Sequence, residues 1–291
     1  MERRERPAAI RLIACDIDGT LLEFGQQAVS AENKRAIEEA RRAGVVFILA
    51  TGRHYMTARK RVYELGLGDT PVIASNGTDI RMADRSVHTV DLDDDLVAEI
   101  VQDLEARHLP VYLFCGDEIL CTARDRRPHL FAAWTEEADG TNPVRIVPTI
   151  EALLREAAGR TQKILSDVGE DLLPGTGDEA LHQKILGEMQ ERYSERADVA
   201  CGGGLNLEIN AKGVSKADGL RYVCRMLNIP VASTMAIGDS GNDVDMLRTA
   251  GFGVAVSNAM REACEAADVL TDSCAENGVA KAIDGHVLRR T

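Results

Sequence analysis

Long apolar runs are absent from this chain of 291 residues, which argues against a membrane-spanning helix. No apolar stretch approaches the ~18 residues that such a helix needs. The basic opening MERRER is followed by an apolar segment that Arg11 and Asp16 interrupt, so this segment is too short for the core of a signal peptide. The sequence therefore predicts a soluble, cytoplasmic protein.

Positive charge is also scarce. Lys and Arg number 34 against 47 Asp and Glu, which gives a formal net charge of −13. A protein that binds nucleic acid without sequence preference normally shows the opposite balance, so we expect neither a nucleic-acid partner nor a membrane partner. An anionic small molecule is still compatible with this charge, because local cations or a bound metal can override the overall field.

Paired cysteine motifs are missing as well. The seven cysteines are odd in number and show neither CxxC nor Cys/His spacing, which indicates reduced thiols rather than disulfides or a zinc site. Cys15 precedes an acidic pair and could serve as a nucleophile, but free cysteines are more often buried core residues, and we expect that here. The chain contains no internal repeat and no low-complexity tract.

Alternating strand and helix patterns dominate both ends of the chain. The apolar runs AIRLIAC, VVFILAT and PVIASNG predict three strands, and the helix between the first two has Ser30 as N-cap and ends at Gly44. A second helix is predicted from about Met56 to Leu65. This β-α-β-α-β order is typical of a parallel sheet with right-handed crossovers, and the C-terminal part repeats it.

The middle of the chain has a different texture. Alternating patterns there predict three hairpins: TDIRM with SVHTVDL, VYLFCG with EILCTA, and ERADVAC with LNLEIN. Two helical stretches, DDDLVAEIVQDLEARH and DEALHQKILGEMQERY, separate them. The sequence therefore predicts an α/β protein in which a parallel-sheet core, residues 1–81 and 211–291, is interrupted by an inserted domain of mixed helices and strands, residues 82–210.

Polar motifs follow four of the predicted core strands. They are Asp16 and Asp18 in DIDGT, Ala50–Arg53 (ATGR), Ser75–Gly77 (SNG) and Gly238–Asp243 (GDSGND). Each alone could be an ordinary turn, and DIDGT could equally be a metal-binding loop. Because ligands bind at the carboxyl ends of strands in open parallel sheets, their joint placement predicts a single site.

The residue types at these positions suit phosphoryl chemistry. Asp16, Asp18 and Asp239 could surround a hard cation with oxygen ligands, most plausibly Mg²⁺, which would offset their mutual repulsion. Thr51 and its flanking backbone N–H groups could hold phosphate oxygens at a helix start, and Lys216 offers a positive charge. One acid of the first pair could then act as nucleophile and the other as proton-transfer group.

Four ordered motifs resemble one known family. DIDGT, ATGR, KGVSKADGL and GDSGNDVDML, with the tail VSNAMREACEAADVLTDSCAENGVAKAI, are similar to those of haloacid dehalogenase (HAD) superfamily phosphohydrolases, in particular the Cof-type branch with a type IIB cap. The resemblance covers nearly the whole chain. It implies a Rossmann-like core with an inserted α+β cap that covers the site and largely selects the substrate.

The resemblance also implies a role for each motif residue. Asp16 would be the nucleophile, Asp18 the general acid/base, and Lys216, rather than Lys212, the catalytic lysine. Ala217 departs from the branch, which commonly has glycine there. Two groups complete the implied site: metal ligands Asp16, Asp18, Asp239 and Asp243, and phosphate- or substrate-binding residues Thr51, Gly52, Arg53, Asn76 and Asn242.

The residue at position 18 separates activities within the superfamily. The aspartyl-phosphate ATPases carry threonine there, whereas the carboxylate of Asp18 can activate water, which indicates a Mg²⁺-dependent phosphatase of small phosphorylated metabolites such as sugar phosphates or phosphorylated cofactors. A sugar phosphomutase or a pathway-dedicated sugar-phosphate phosphatase of the same cap type is an alternative. A non-catalytic phosphate-ligand sensor is an alternative from another class. The sequence does not predict the oligomeric state.

Overall fold

The protein folds into two compact units. The structure, a computed structural model, describes residues 9–23, 25–138, 140–168, 179–201 and 205–289. The first unit holds the described residues of Met1–Gly52, Arg61–Val87 and Ser215–Thr291, and the second holds those of Arg53–Lys60 and His88–Val214. The bounds 82 and 210 stay a prediction for the inserted domain.

Strands and helices alternate through most of the described chain. The strands are β1 (Leu12–Cys15), β2 (Val46–Ala50), β3 (Val72–Ala74), β4 (Asp79–Met82), β5 (Arg85–Thr89), β6 (Tyr112–Cys115), β7 (Glu118–Thr122), β8 (Val144–Val147), β9 (Lys163–Asp167), β10 (Ala197–Ala200), β11 (Asn206–Ala211), β12 (Thr234–Gly238), β13 (Phe252–Val256) and β14 (Val269–Thr271). The helices are α1 (Ala31–Arg42), α2 (Tyr55–Glu64), α3 (Asp94–Ala106), α4 (Pro128–Glu137), α5 (Ile150–Ala157), α6 (Glu179–Tyr193), α7 (Lys216–Met226), α8 (Val244–Thr249), α9 (Arg261–Ala266) and α10 (Gly278–His286). Within the described residues, no helix combines the length and apolar character that crossing a membrane requires.

The first unit is built on an eight-stranded sheet in the order β14-β13-β12-β1-β2-β3-β4-β5. The six strands from β14 to β3 are parallel to their neighbours, and β4 runs antiparallel to β3. β1 is buried along its whole length, as are β12 and β13, which is why their sequences are continuous apolar runs rather than alternating patterns. The α/β fold with a parallel core is therefore confirmed.

The strand order places a crevice between β1 and β12. From β1 the chain continues to β2 and β3 on one side, and from β12 it continues to β13 and β14 on the other. Cys15 pairs with Ile237, and Asp16 N donates a hydrogen bond to Ile237 O at 2.9 Å. A reversal of strand order of this kind opens a ligand crevice at the carboxyl ends of the two strands.

The second unit contains a six-stranded sheet in the order β10-β11-β9-β6-β7-β8. Two of the predicted hairpins form here, since β6 pairs with β7 and β10 with β11, both antiparallel. One face of the sheet packs on helices through a large apolar cluster that includes Ile100, Leu104 and Met189. The glycines 202–204, which follow β10, lie outside the described residues.

The remaining hairpin belongs to the other sheet. β4 and β5 correspond to TDIRM and SVHTVDL, whose hairpin crosses the predicted bound at residue 82, and they are the last two strands of the eight-stranded sheet. Buried polar contacts stabilise the hairpin, in which Arg81 Nε lies 2.7 Å from Asp79 Oδ2 and Ser86 Oγ donates to Asp79 Oδ1. Alternation alone predicts a hairpin and does not identify the sheet that it joins.

Candidate active site

The first site loop begins where β1 ends. Asp16 is buried, and the chain turns back on itself immediately afterwards, with Leu21 N and Leu22 N both donating to Ile17 O. Gly19 adopts a φ of +80°, and a Cβ there would lie 2.5 Å from Asp239 Oδ2. Only glycine allows this turn and this close approach, so the DG pair fixes the direction in which the two acids leave the strand.

The lysine of the site comes from the first turn of α7. Ser215, the residue before Lys216, forms a capping box with Asp218. Asp218 Oδ2 accepts hydrogen bonds from Ser215 N at 3.0 Å and from Ser215 Oγ at 2.7 Å. The next residue, Lys216, is almost completely buried, and its Nζ lies 2.7 Å from Asp16 Oδ1 and 2.7 Å from Asp243 Oδ1. This is the lysine that the resemblance selected.

The fourth motif supplies two more buried carboxylates. Asp239 follows β12 directly, and Asp243 closes a short 3₁₀ turn, Gly241–Asp243, before α8. Asp243 Oδ2 accepts hydrogen bonds from the backbone N–H groups of Asp239 and Ser240, at 3.0 and 3.1 Å. This capping arrangement separates the 3₁₀ turn from the α-helix that follows.

Three carboxylates meet around the lysine. One oxygen from each of Asp16, Asp239 and Asp243 lies within 4.8 Å of the others, and all three residues are buried. Three carboxylates against one ammonium leave a formal charge of −2 when all are ionised. Such a donor set fits a divalent cation that prefers oxygen ligands, of which Mg²⁺ is the usual example.

Burial and the closeness of the charges shift the pKa values of this group. Burial, and secondarily the neighbouring carboxylates, raises the pKa of Asp16 well above its ordinary range, although Lys216 opposes the change. Burial and the charge of Asp243 raise the pKa of Asp239 to about 6. Burial would lower the pKa of Lys216, but Asp16 and Asp243 override it, so the pKa rises and the side chain stays an ammonium. Added positive charge would therefore lower the pKa of both acids and favour their carboxylate forms.

Predicted phosphate-binding residues also come together. Asn242 Nδ2 donates to Asn76 Oδ1 at 3.2 Å, and Asn76 N donates to Thr51 O at 3.0 Å. Thr51 is buried, and Gly52 follows it at the end of the first unit's opening segment. The helix α2 begins at Tyr55, four residues beyond Thr51. Thr51 therefore lies in the loop between β2 and α2 rather than in the first turn of the helix.

Two predicted residues have a different placement. The carboxylate of Asp18 is not part of the three-acid group, although its charge contributes to the raised pKa of Asp16. Arg53 lies in the second unit, where Nη1 donates to Thr57 O at 3.3 Å in the first turn of α2. Their assignments as proton donor and phosphate ligand stay predictions.

Within the described residues, neither Cys15 nor His54 belongs to the group of three acids. Cys15 is fully buried, its Sγ donates to Asp16 O, and burial raises the pKa of its thiol. His54 is buried in the second unit, with its ring 5.1 Å from that of Phe114 and Nε2 3.0 Å from Gly116 O. The sequence analysis expects a buried core residue at Cys15, and the structure places one there.

Other groups support the acids without having been predicted. Thr20 Oγ1 donates to Asp239 Oδ1 at 2.5 Å, Met260 N donates to Asp239 O at 2.7 Å, and Asn258 Nδ2 donates to Gly19 O at 2.8 Å. Thr20 belongs to the motif DIDGT, so its place beside the two acids could have indicated a role in the site. The last two come from the tail, and only the fold reveals their contacts.

Comparison with known proteins identifies the family of this chain. The profile of haloacid dehalogenase-like hydrolases matches residues 13–283, which contain every residue of the site. This chain belongs to the haloacid dehalogenase-like hydrolases. It is 31% identical over 284 residues to a 5-amino-6-(5-phospho-D-ribitylamino)uracil phosphatase of Bacillus subtilis (strain 168), with 96% of each chain covered. A second B. subtilis relative, 29% identical over 282 residues, is also named a phosphatase, and together they support phosphoric monoester hydrolase activity for this HAD hydrolase.

Solved structures agree on the fold of this HAD hydrolase. A haloacid dehalogenase-like hydrolase from B. subtilis superposes with a TM-score of 0.80 at 27% identity, covering 94% of this chain and 99% of that one. A HAD subclass IIB sugar phosphatase superposes with a TM-score of 0.76 at 22% identity, covering 94% and 98%. The α/β fold of this chain is thus shared with solved structures of HAD hydrolases.

Proposed function

We propose that this HAD hydrolase is a Mg²⁺-dependent phosphatase that hydrolyses small phosphorylated metabolites through a phosphoryl group carried on Asp16. The observation that carries the proposal is the position of Lys216, whose ammonium bridges Asp16 and Asp243 at 2.7 Å each within a buried group of three acids. A buried charge cluster of this kind is costly unless its ligand compensates it.

The metal-binding residues in this proposal are the carboxylates of Asp16, Asp239 and Asp243, with the backbone carbonyl of Asp18. Bound Mg²⁺ would supply positive charge against both these acids and the incoming phosphoryl group. The donor set fits this role, because all the side-chain ligands are oxygens and Lys216 alone neutralises only part of their charge.

The protein's own residues would carry out two displacements at phosphorus. In the first, an Asp16 carboxylate oxygen attacks phosphorus while the ester P–O bond breaks, and Asp18 gives its proton to the departing oxygen. In the second, Asp18 accepts a proton from water, whose oxygen attacks phosphorus, and the P–O bond to Asp16 breaks. Inorganic phosphate leaves, and both acids return to their starting states. Thr51, Gly52, Arg53, Asn76 and Asn242 would hold the phosphoryl oxygens.

The substrate class rests on the relatives and on the charge of the chain. The B. subtilis relative is named for a phosphorylated ribitylaminouracil, and the IIB structural neighbour is a sugar phosphatase. We therefore propose a sugar phosphate or a phosphorylated cofactor precursor as substrate, with no nucleic-acid or membrane partner. All seven cysteines are free thiols, which supports a cytoplasmic location.

Phosphate release from a panel of phosphorylated metabolites tests the proposal. We expect activity that requires Mg²⁺, disappears on chelation and is lost in Asp16→Asn. Transfer of the phosphoryl group to another sugar hydroxyl, with little release, would instead indicate a phosphomutase. Binding of phosphorylated compounds with no turnover in any metal would indicate a sensor and contradict the proposal.

A further inference from the structure

The helix that carries Lys216 meets the loop after β3 at a position without a side chain. The loop residue is Gly77, which is buried and has a φ of +100°. A Cβ built on Gly77 would lie 2.3 Å from Ser215 O and 2.9 Å from Ser215 C. Ser215 is the N-cap of α7 and immediately precedes Lys216.

A second close approach lies one helical turn further along. Gly219 N donates to Ser215 O at 3.1 Å, and a Cβ on Gly219 would lie 2.6 Å from Ile73 Cγ2 in β3. The first turn of α7 is therefore held against both the last part of β3 and the loop after it. Glycine at both contact points lets the helix backbone come closer than any other residue would allow.

We infer that Gly77 and Gly219 are positioning residues that set the depth of the α7 N-terminus and thereby place the Lys216 ammonium between Asp16 and Asp243. This inference rests on the proposed function, in which Lys216 serves the reaction. The atoms nearest to the two built Cβ positions belong to the α7 N-terminus and to Ile73, not to the acids, so we expect each glycine to act through Lys216.

The required movement is large on the scale of the site. Ordinary contacts begin at 3.4 Å, so a methyl group on Gly77 would displace the Ser215 carbonyl by roughly 1 Å. Lys216 contacts two carboxylates at 2.7 Å simultaneously, and its side chain is almost completely buried, which leaves little room to compensate a shift of its backbone. Misplacement of a reacting group by about 1 Å can cost about 10²-fold in rate.

The test combines Gly77→Ala with a matched control and a second background. Gly44→Ala is the control, because Gly44 has a similar φ of +86° but nothing within 4 Å of its built Cβ. We expect kcat/KM for p-nitrophenyl phosphate with Mg²⁺ to fall about 10- to 100-fold in Gly77→Ala and less than threefold in Gly44→Ala.

The second background is Lys216→Met, in which binding of tungstate, a tetrahedral phosphate analogue, is measured by calorimetry with Mg²⁺. If Gly77 acts through Lys216, Gly77→Ala weakens tungstate binding in the parent chain and changes it less than twofold in Lys216→Met. Equal weakening in both backgrounds would overturn the inference, since it would show an effect through Asn76 or general packing.

Gly219→Ala provides an independent variant should Gly77→Ala fail to fold. Its clash is with the Ile73 side chain, so Ile73→Ala in the same chain is expected to restore most of the lost kcat/KM. No loss in Gly219→Ala, or no recovery in the double variant, would contradict the inference. Absence of phosphatase activity in the unmodified chain would instead refute the proposed function, which keeps the two failures distinct.

Discussion

Thr20 shows how a single hydroxyl can tune the carboxylate group. Its Oγ1 donates to Asp239 Oδ1 at 2.5 Å, which orients a proposed metal ligand. Thr20→Val keeps the shape and removes the donor, and groups that orient metal ligands typically contribute about 10- to 100-fold in affinity. We expect the Mg²⁺ concentration for half-maximal activity to rise at least about tenfold. Thr70→Val, which removes a hydroxyl bonded to Leu67 O, is the control and should leave it unchanged.

The raised pKa of Asp239 predicts how the stability of the metal-free protein depends on pH. Burial and Asp243 raise this pKa from 3.8 to about 6, so the folded state binds the proton more tightly than the unfolded state. The free energy of unfolding should therefore fall as pH rises through this interval, by up to about 3 kcal/mol. Urea unfolding with chelator at pH 4.5 and pH 7 should show about 2 kcal/mol of this decrease, because the rest falls below pH 4.5.

Two comparisons check the assignment of that pH dependence. In Asp239→Asn the carboxyl group is absent, so the decrease in unfolding free energy between pH 4.5 and pH 7 should shrink. Mg²⁺ should stabilise the parent protein more at pH 7 than at pH 4.5, because protonation competes with the cation. An unchanged slope in Asp239→Asn would show that other groups dominate.

At the scale of residues, the sequence was sufficient where a motif ends a strand. Asp16 and Asp239 lie close together in the structure, as their placement at strand ends predicts, and Lys216 reaches Asp16 from the start of a helix. Asn258 was not selected, since its contact with Gly19 joins residues 239 positions apart. The spacing of such partners reflects packing of the tail and leaves no local pattern.

The capping box of α7 gives a prediction at the scale of elements. Removing an N-cap hydroxyl costs about 1 kcal/mol, so Ser215→Ala and Ser30→Ala at the start of α1 should destabilise the protein similarly. Only the first loosens the turn that carries Lys216. We therefore expect a clear loss of kcat in Ser215→Ala alone, and equal losses in both variants would contradict a role for the cap in positioning the lysine.

Element types followed from the sequence more securely than element partners. The strands β1, β2 and β3 and the helix α1 form where the apolar runs and the Ser30 cap predict them, because local periodicity and capping determine these features. The β4–β5 hairpin forms too, but its alternating pattern does not indicate which sheet it joins. That is decided by the antiparallel pairing of β4 with β3.

At the scale of the whole molecule, chemistry and substrate choice are expected to separate. Within the described residues, the group of acids suited to a metal comes entirely from the first unit. We therefore propose that the insert selects the substrate. Asn206→Ala, in the segment that follows the glycines 202–204, should change the ranking of metabolites while leaving p-nitrophenyl phosphate turnover within about twofold. A uniform loss across all substrates would contradict this division.

The central claim is that Asp16 carries the phosphoryl group, and rapid quenching followed by mass spectrometry tests it most directly. Asp18→Asn lacks the base that activates water, so a substrate with a good leaving group should leave phosphorylated Asp16 to accumulate with Mg²⁺ present. The account predicts an added phosphoryl group on the peptide containing Asp16, absent in Asp16→Asn. A phosphoryl group on any other residue, or near-normal turnover in Asp16→Asn, would contradict it.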